Sequence, residues 1–488
     1  MRSVDRLFPF AAGFPPSRAN LPIRNEVTPI RRSSAKIDLT QGPIISRAIL
    51  FALPICLGSI LQQLYTTVDT LVVGNFCGAL SLAAVGTSSQ PVEIFLCLFM
   101  GLGNGVTILV SQATGGKDQL KLRRVVRNAN AFLYLCGIPV TILGFACSSL
   151  VLRLMQTPAD TLALAVSYTQ ISFLGTLGTL GYNINAGVLR GMGDSRSSLW
   201  FLMISCVANV VLDLLFVAVF HMGVSGAAWS TILAQYLSWL CSILYIRRKY
   251  PEVDYSPIPR QVDRQGLMEV ARISLPLGLN QSIYSVGHIF SQAFVNAQGS
   301  VFMAACSVGG RINSLANIAV SSLSSACTSF AGQNLGARRY DRLYRGCWQI
   351  PLFSCSLAAI GGVIVSCFSE PLLLLFNNDP AVLAMAKHYV SITLPWLWMY
   401  AMLTSVMNIC YGLGIMKYPT IVNVLMLWAV RIPVTWLICT FGNGIDLVYS
   451  YPISFACGML AMLMFFFTHR WKEIRMLAQP QRDAQPNT

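Results

Sequence analysis

The sequence has few charged residues, and this scarcity excludes most classes of soluble protein. Only 11% of its 488 residues are charged, whereas 55% are hydrophobic. Soluble domains usually carry about 25% charged residues. The composition therefore indicates a membrane protein, and no stretch after Arg47 is long and polar enough to form a sizeable soluble domain.

Motifs of common enzymes and of metal sites are also missing. There is no Walker lysine motif, no HExxH and no GxSxG, which argues against ATP-driven transport and membrane proteolysis by those routes. The fifteen cysteines lie almost entirely in apolar runs and lack CxxC spacing, so we interpret them as small buried hydrophobic residues. We predict that the protein is not an enzyme and that it needs no cofactor.

Apolar segments long enough to cross a membrane recur along the chain. About 20 mainly apolar residues span the hydrocarbon core as a helix. Twelve candidate spans lie near residues 48–73, 83–110, 129–150, 163–189, 199–220, 226–246, 273–296, 303–330, 349–369, 383–413, 419–440 and 447–468. The sequence thus predicts an all-α integral membrane protein with twelve transmembrane helices.

Basic residues are concentrated in the loops on one side of these spans. The loops of one side carry 18 Lys and Arg residues, and the opposite loops carry only two. The basic loops lie at 117–127, 190–196, 247–272, 338–345 and 417. Cytoplasmic loops are enriched in Lys and Arg, so we expect both termini in the cytoplasm of a bacterial-type cell, with the protein in the inner membrane. Because the net charge of +15 is spread over such clusters, it does not indicate binding to nucleic acid.

The polar segments suggest where the domains begin and end. Residues 1–40 are basic and rich in proline, without the apolar core of a signal peptide, and we interpret them as a disordered cytoplasmic tail that need not all belong to the mature protein. A proline-rich hydrophilic segment divides the chain nearly in half. The predicted organisation is a six-helix half at 41–250, a cytoplasmic linker at 251–272, a second six-helix half at 273–470 and a tail at 471–488.

The two halves repeat one another at a nearly constant offset. Pro54 matches Pro276, Gln112 matches Gln333, and the Gly191 motif matches the one at Gly412, with offsets of 221 or 222 residues. Six spans return the chain to its starting side, so the repeats are predicted to be parallel. Such pairs of bundles can rock about a central cavity, which favours transport by alternating access.

Three acids lie inside predicted spans of the first half. An aspartate at the centre of a membrane helix costs roughly 2.5–3.5 kcal/mol, so each is a functional candidate. These acids are Asp69, Glu93 and Asp213. Polar residues at helical spacing accompany them on the first, fifth and sixth spans, namely Gln62, Tyr65, Asn209, Thr231 and Gln235. For each acid the alternative is a hydrogen bond across helices without a role in transport.

Two carboxylates with nearby amide and hydroxyl groups suit either H+ or Na+. Burial and a neighbouring carboxylate both raise the pKa of a carboxyl group, so that such a pair can bind and release protons near neutral pH. The same oxygens are hard ligands for Na+, and the sequence does not separate the two ions. The predicted coupling site consists of Asp69, Asn209, Asp213 and Thr231.

The second half lacks matching acids. The position that corresponds to Asp69 is Ser291 or Gln292, and the polar stripe of the seventh span contains Asn280, Tyr284, His288 and Gln292. His288 is either a proton relay or an interhelical hydrogen-bonding group. Arg311 and Arg431 are interpreted as buried structural cations. Coupling is therefore expected in the first half only.

The order of several segments resembles that of the MATE family, the multidrug and toxic compound extrusion transporters, over residues 40–470. The resemblance lies in Leu53-Pro54 through Val73-Gly74, Val110–Gln112, Leu189–Asp194, Asn209–Asp213, Gly223–Ala228 and Ala331–Ala337. It implies a V-shaped pair of six-helix lobes, function as a monomer, and a cation site at Asp69, Asn209, Asp213 and Thr231. Members with acids on the seventh, eighth or tenth span differ from this chain, whose pattern is DinF-like.

The resemblance implies efflux of organic, often cationic and amphipathic, solutes in exchange for H+ or Na+. One alternative is a flippase for lipid-linked precursors from the same broader superfamily. Another is a membrane-embedded enzyme or a receptor that carries no flux. Extra spans or a strongly cationic cavity would favour the flippase, and a cluster of His, Asp or Glu residues or a folded sensory domain would favour the third class.

Overall fold

Helices form all the regular structure in the residues described by the computed structural model of the protein, which are 36–259, 261–374, 376 and 378–470. Fifteen α-helices, α1 to α15, are Ile44–Gly115, Gln119–Leu154, Ala159–Leu174, Thr176–Gly191, Ser195–Asp213, Gly223–Lys249, Arg264–Asn296, Ser300–Gly336, Tyr340–Cys367, Ser369–Leu374, Pro380–Thr393, Leu397–Gly412, Lys417–Leu425, Ile432–Phe441 and Ser450–Phe465. Short π-helical or 3-10 segments lie at Leu214–Val219, Pro251–Val253, Met426–Arg431, Gly444–Tyr449 and Phe466–Arg470.

These helices account for all twelve predicted spans. α1 is interrupted at Gly78 and carries the first two spans, Ile44–Gly78 and Pro91–Gly115. The tenth span is α11 followed by α12, which are bent by 49°. In the described part of the chain, eight helices are long and apolar enough to cross a membrane, or nine with that bent pair. The fourth span is broken at Gly175, and the seventh and eighth carry polar residues along their length, so these three are not among them.

Aspartates outside the apolar segments begin several helices. Asp118 accepts a hydrogen bond from the backbone N–H of Lys121 at the start of α2, and Asp194 accepts one from Ser197 at the start of α5. Asp379 caps α11 in the same way. Such caps satisfy backbone donors that have no partner within the helix, and each stabilises a helix by about 1 kcal/mol.

The halves meet most closely at the end of the molecule that carries the basic loops, here called the basic end. Its loops are residues 116–118, 192–194, 250–259, 261–263, 337–339 and 413–416. The Nε2 atom of Gln112 donates to the carbonyl of Gly412 (3.0 Å), and that of Gln333 donates to the carbonyl of Gly191 (3.1 Å). These contacts are related by the repeat, because each glutamine reaches the glycine motif of the other half.

Glycines permit this close approach. A Cβ atom added to Gly336 would lie 2.0 Å from the backbone oxygen of Gln112, and one added to Gly115 would lie 2.0 Å from that of Gln333. Farther from the basic end, a Cβ atom added to Gly101 would lie 2.3 Å from the Cα atom of Gly278. Small residues let membrane helices pack backbone to backbone, so the glycines seal the basic end.

The segment before α1 is packed across both halves, which corrects part of the predicted tail. Ile37 donates its backbone N–H to Gly193 of the first half, and Leu39 donates to the Oε1 atom of Gln333 of the second. Ile37 and Leu39 are both buried because they fill the junction between the halves. Residues 36–40 are therefore not a free tail, whereas residues 1–35 and 471–488 lie outside the described residues.

The connection between the halves is shorter than predicted and is held against the first half. α7 begins at Arg264, so the last nine residues of the predicted linker 251–272 belong to the seventh span. Asp263 caps α7 and forms an ion pair with Arg124. Partial burial opposes the ionised carboxyl, but hydrogen bonds from Arg124 and two backbone N–H groups lower the pKa of Asp263 overall.

Candidate functional site

Two of the predicted acids meet inside the first half. Asp69 lies on the first span of α1 and Asp213 is the last residue of α5. Their carboxyl groups are close enough to share a hydrogen bond. Asp213 is fully buried and Asp69 is partly buried. Two carboxylates have no proton to donate, so this contact is a hydrogen bond only when one of them is protonated.

Hydroxyl and amide groups of α5 and α6 surround the pair. The Oγ atom of Ser230 donates a hydrogen bond to Oδ1 of Asp213. The Nδ2 atom of Asn209 donates to Oγ1 of Thr231 at 3.2 Å. Ser230 and Thr231 are consecutive on α6, so that helix contacts Asp213 through one hydroxyl and Asn209 through the next.

Three oxygen atoms at this site have no hydrogen-bond donor among the described residues. They are Asp69 Oδ1, Asn209 Oδ1 and Asp213 Oδ2. Buried polar atoms almost always have a partner, and an unpartnered one costs about 1–3 kcal/mol. The two carboxylate oxygens can share a proton, and all three oxygens can coordinate a hard cation such as Na+. Thr231 can supply a further oxygen.

A polar cavity of about 490 Å³ lies between the two halves. Amides, hydroxyls and aromatic rings from both halves form its wall, including Gln62, Tyr65, Asn104, Tyr182, Asn183, Thr231, Gln235, Asn280, Tyr400, Asn408 and Tyr411. Thr231 belongs both to this wall and to the group around Asp213. Tyr65 lies one helical turn from Asp69. The cavity and the acidic pair are therefore separate sites joined by α1 and α6.

The structure brings only some of the predicted relay and cavity residues to this wall. Gln62, Tyr65, Gln235 and Asn280 line the cavity. Glu93 is exposed, is not part of the lining and does not join the acidic pair, because the second span turns its side chain away. Gln292 is exposed and donates to Asn296 of its own helix at 3.0 Å.

The other two predicted residues on α7, Tyr284 and His288, lie near Arg431 and do not line the cavity. The Nη1 atom of Arg431 donates to the hydroxyl of Tyr284 at 3.4 Å, and Nε donates to Oγ of Ser454 at 3.0 Å. The guanidinium also lies 4.6 Å from the ring centroid of Tyr451. His288 is exposed and lies within electrostatic reach of Arg431. Arg431 is thus a buried cation held by hydroxyls and aromatic rings.

Arg311 is exposed, although the sequence predicted that it is buried. Its guanidinium carbon lies 5.8 Å from the ring centroid of Phe376. The prediction of a buried structural cation is wrong for this residue. A long side chain on a helix can place its charged group at the surface while its stem packs against the helix.

Sequence reasoning missed several residues of the two sites. Ser230 directly precedes the predicted Thr231, and only the rotation of α6 shows that its hydroxyl faces Asp213. Asn183 and Arg190 line the cavity from α4. Helical spacing connects Thr179, Asn183 and Arg190, and that stripe was a usable signal. Arg190 was instead counted as one of the basic loop residues.

The repeat and its two matching halves identify the family. A sequence model of the MatE family matches residues 54–215 and again residues 276–437, an offset of 222 residues. The chain belongs to the MATE family. The predicted family, the all-α architecture with two repeated lobes, and the expectation of a transporter rather than an enzyme are confirmed.

Named relatives of this MATE protein, and solved structures of other proteins that resemble it, agree with that assignment. The protein named probable multidrug resistance protein YpnP of Bacillus subtilis is 31% identical over 91% of this chain and 99% of its own length. The NorM protein of Thermotoga maritima is 21% identical over 88% of this chain and 94% of its own length. An outward-facing multidrug resistance MATE transporter of the MOP superfamily superimposes with a TM-score of 0.83 at 21% identity, covering 92% of this chain and all of its own.

Proposed function

We propose that this MATE protein exports organic solutes in exchange for H+ or Na+ by alternating access. The observation that carries the proposal is the contact between Asp69 and Asp213, with three unpartnered oxygens beside a cavity between the halves. A resident cofactor has no role in this mechanism. The names of the relatives that describe multidrug resistance or export support organic solutes as the cargo.

We further propose that the basic end faces the cytoplasm of a bacterial-type cell, in its inner membrane, with both termini inside. Eighteen basic residues in the loops of one side against two on the other support this orientation. The sealed basic end then makes the structure an outward-facing state. The protein is proposed to work as a monomer, because each chain contains both halves and the whole cavity.

Coupling follows from the repulsion between the two carboxylates. Without a cation, two ionised groups in contact repel each other, and a bound proton or Na+ removes that repulsion. The cation thereby changes the packing of α1 against α5 and α6. Gln62 and Tyr65 of α1 line the cavity, so the solute site changes when the cation binds. Inward movement of one net charge supplies about 2.3 kcal/mol per 100 mV.

A flippase for lipid-linked precursors is the second candidate. Its support would be a strongly cationic cavity, whereas the described lining of this cavity contains a single basic residue, Arg190. The twelve-span count also favours the solute antiporter.

Dye flux in proteoliposomes tests the proposed function. The wild type, Asp69→Asn and Asp213→Asn are reconstituted, and fluxes of the xanthene dyes rhodamine 6G and fluorescein are recorded under Na+ and H+ gradients in turn. We expect one gradient to drive flux in the wild type and both variants to lose at least nine-tenths of it.

Glu93→Gln is the matched control, because it neutralises an acid of the same half that does not join the pair. We expect it to keep wild-type flux. Unchanged flux in Asp69→Asn contradicts the assigned site. Absence of gradient-driven flux of either dye in the wild type contradicts the antiport proposal and favours the flippase.

A further inference from the structure

The charge of the central cavity comes from one residue. Among the described residues that line it, Arg190 is the only charged side chain, and every other polar group is a neutral amide or hydroxyl. The acidic pair does not line the cavity. A solute in the cavity therefore meets a fixed positive charge and, among the described lining residues, no fixed negative charge.

The Arg190 guanidinium has no partner in the described part of the chain. It forms neither an ion pair nor a hydrogen bond there, and the hydroxyl group of Tyr182 lies within its electrostatic reach. A charge in a low-dielectric site without a partner is costly, so such groups usually bind something. The five N–H donors of a guanidinium lie in one plane and match a carboxylate, sulfonate or phosphate group with two parallel hydrogen bonds.

The architecture of the repeat does not by itself require an arginine at this position. The residue 221 positions later is Tyr411, which lines the same cavity from the second half. Its hydroxyl accepts a hydrogen bond from Asn280 at 3.4 Å. A neutral side chain thus suffices at the equivalent place. Arg196, a basic residue of the same region, is exposed and does not line the cavity, so orientation in the membrane does not depend on Arg190 alone.

We propose that the cavity binds amphipathic organic anions, with Arg190 pairing with the acidic group of the solute. Tyr65, Tyr182 and Tyr400 supply aromatic surface for its apolar part. This inference rests on the proposed export function and names the substrate class, in place of the cationic solutes that the resemblance implies. The acidic group belongs either to a soluble solute or to a lipid headgroup, since both present the same oxygens.

Equilibrium binding separates this inference from the transport proposal. Fluorescein and rhodamine 6G share a xanthene ring system and carry opposite charges, so they differ mainly in the feature under test. Their binding to the purified full chain in phosphatidylcholine nanodiscs is measured by fluorescence anisotropy. We expect fluorescein to bind at least tenfold more tightly than rhodamine 6G. Arg190→Gln should weaken fluorescein binding at least tenfold, and Arg190→Lys should weaken it less because the charge remains.

Arg196→Gln is the matched control and should leave both affinities unchanged. Preferential binding of rhodamine 6G, or equal losses of both dyes in Arg190→Gln, overturns the inference. Fluorescein binding without gradient-driven flux of either dye supports the anion site and contradicts antiport. Gradient-driven flux of rhodamine 6G without fluorescein binding supports antiport and contradicts the anion site. A fall in fluorescein affinity on adding phosphatidylglycerol, lost in Arg190→Gln, identifies a lipid phosphate as the bound anion.

Discussion

At the scale of single residues, equivalent positions in the two halves carry different chemistry. Asn209, beside the acidic pair, corresponds at an offset of 222 residues to Arg431. The first half thus has oxygens without donors, and the second half has a permanent cation surrounded by hydroxyls and rings. If the proposed coupling site had a counterpart in the second half, the guanidinium of Arg431 would lie in it. This explains in physical terms why coupling is expected in the first half only.

Replacement of Arg431 by lysine should destabilise the protein. Lysine keeps the charge, but its ammonium cannot contact Tyr284 and Ser454 together with the geometry of a planar fork. We expect a loss of about 1.5–3 kcal/mol in the free energy of unfolding, the range for hydrogen bonds to charged groups. The measurement is equilibrium unfolding of the purified protein, followed by tryptophan fluorescence.

Arg311→Lys provides the comparison for Arg431→Lys. Arg311 is exposed, and substitutions of that kind usually change stability by less than about 0.5 kcal/mol. Equal stability losses in the two variants would show that the hydroxyl and ring contacts of Arg431 contribute little.

At the scale of helices, irregular turns occur beside the special charges. A π-helical segment, Leu214–Val219, follows Asp213 directly, and another, Met426–Arg431, ends at Arg431. Such segments widen a helix and are frequent at functional sites. In each half the widened turn thus adjoins a charged side chain that is buried in the bundle.

The segment before α1 is another element with a defined role. Arg342 of α9 donates to the carbonyls of Leu39 at 3.0 Å, Gln41 at 3.2 Å and Gly42 at 2.6 Å. Asn334 of α8 also donates to Leu39, at 3.2 Å. The segment thus ties the second half to the first at the sealed basic end.

Arg342→Ala should loosen this segment. Loss of three charge-assisted hydrogen bonds exposes the amides of residues 37–42 to more frequent opening, and we expect them to exchange at least tenfold faster in hydrogen–deuterium exchange mass spectrometry. Arg345→Ala is the control, because that residue is exposed and pairs only with Asp341 on its own helix in the described contacts. Identical exchange in the two variants would contradict the role assigned to Arg342.

At the scale of the whole molecule, the two halves meet at a seal made of glycines and two glutamines. Opening of the basic end requires both glutamine hydrogen bonds to break and the helices to separate. Alternating access therefore requires a small free-energy difference between the sealed state and the open state, so that both states are populated during transport.

Gly336→Ala should disturb the sealed state. The new methyl group would lie 2.0 Å from the backbone oxygen of Gln112, so the halves must shift, at a cost of about 1–3 kcal/mol. We expect a lower unfolding temperature and reduced dye flux. Gly361→Ala meets no atom within 4 Å and should be neutral or slightly stabilising in the same measurements. A neutral Gly336→Ala would mean that the seal is looser than its geometry indicates.

The sequence alone determined the class of this protein and much of its plan. Hydrophobic length specified the spans, the 222-residue offset specified two parallel repeats, and the distribution of basic residues distinguished one face from the other. The cost of burying acids directed attention to Asp69 and Asp213 before any contact was known. These properties are local or periodic, so they are readable along the chain.

Only the tertiary structure decided which side chains meet. Helical periodicity places Glu93 and Asp69 on faces of their own helices, but it does not specify the rotation of one helix against another, and the structure joins Asp69 to Asp213 while leaving Glu93 exposed. The same is true of Arg190, which the sequence presents as one more basic residue near a loop. Packing of the two halves turns it into the single charge among the described residues of the cavity wall, because the cavity exists only where the halves come together.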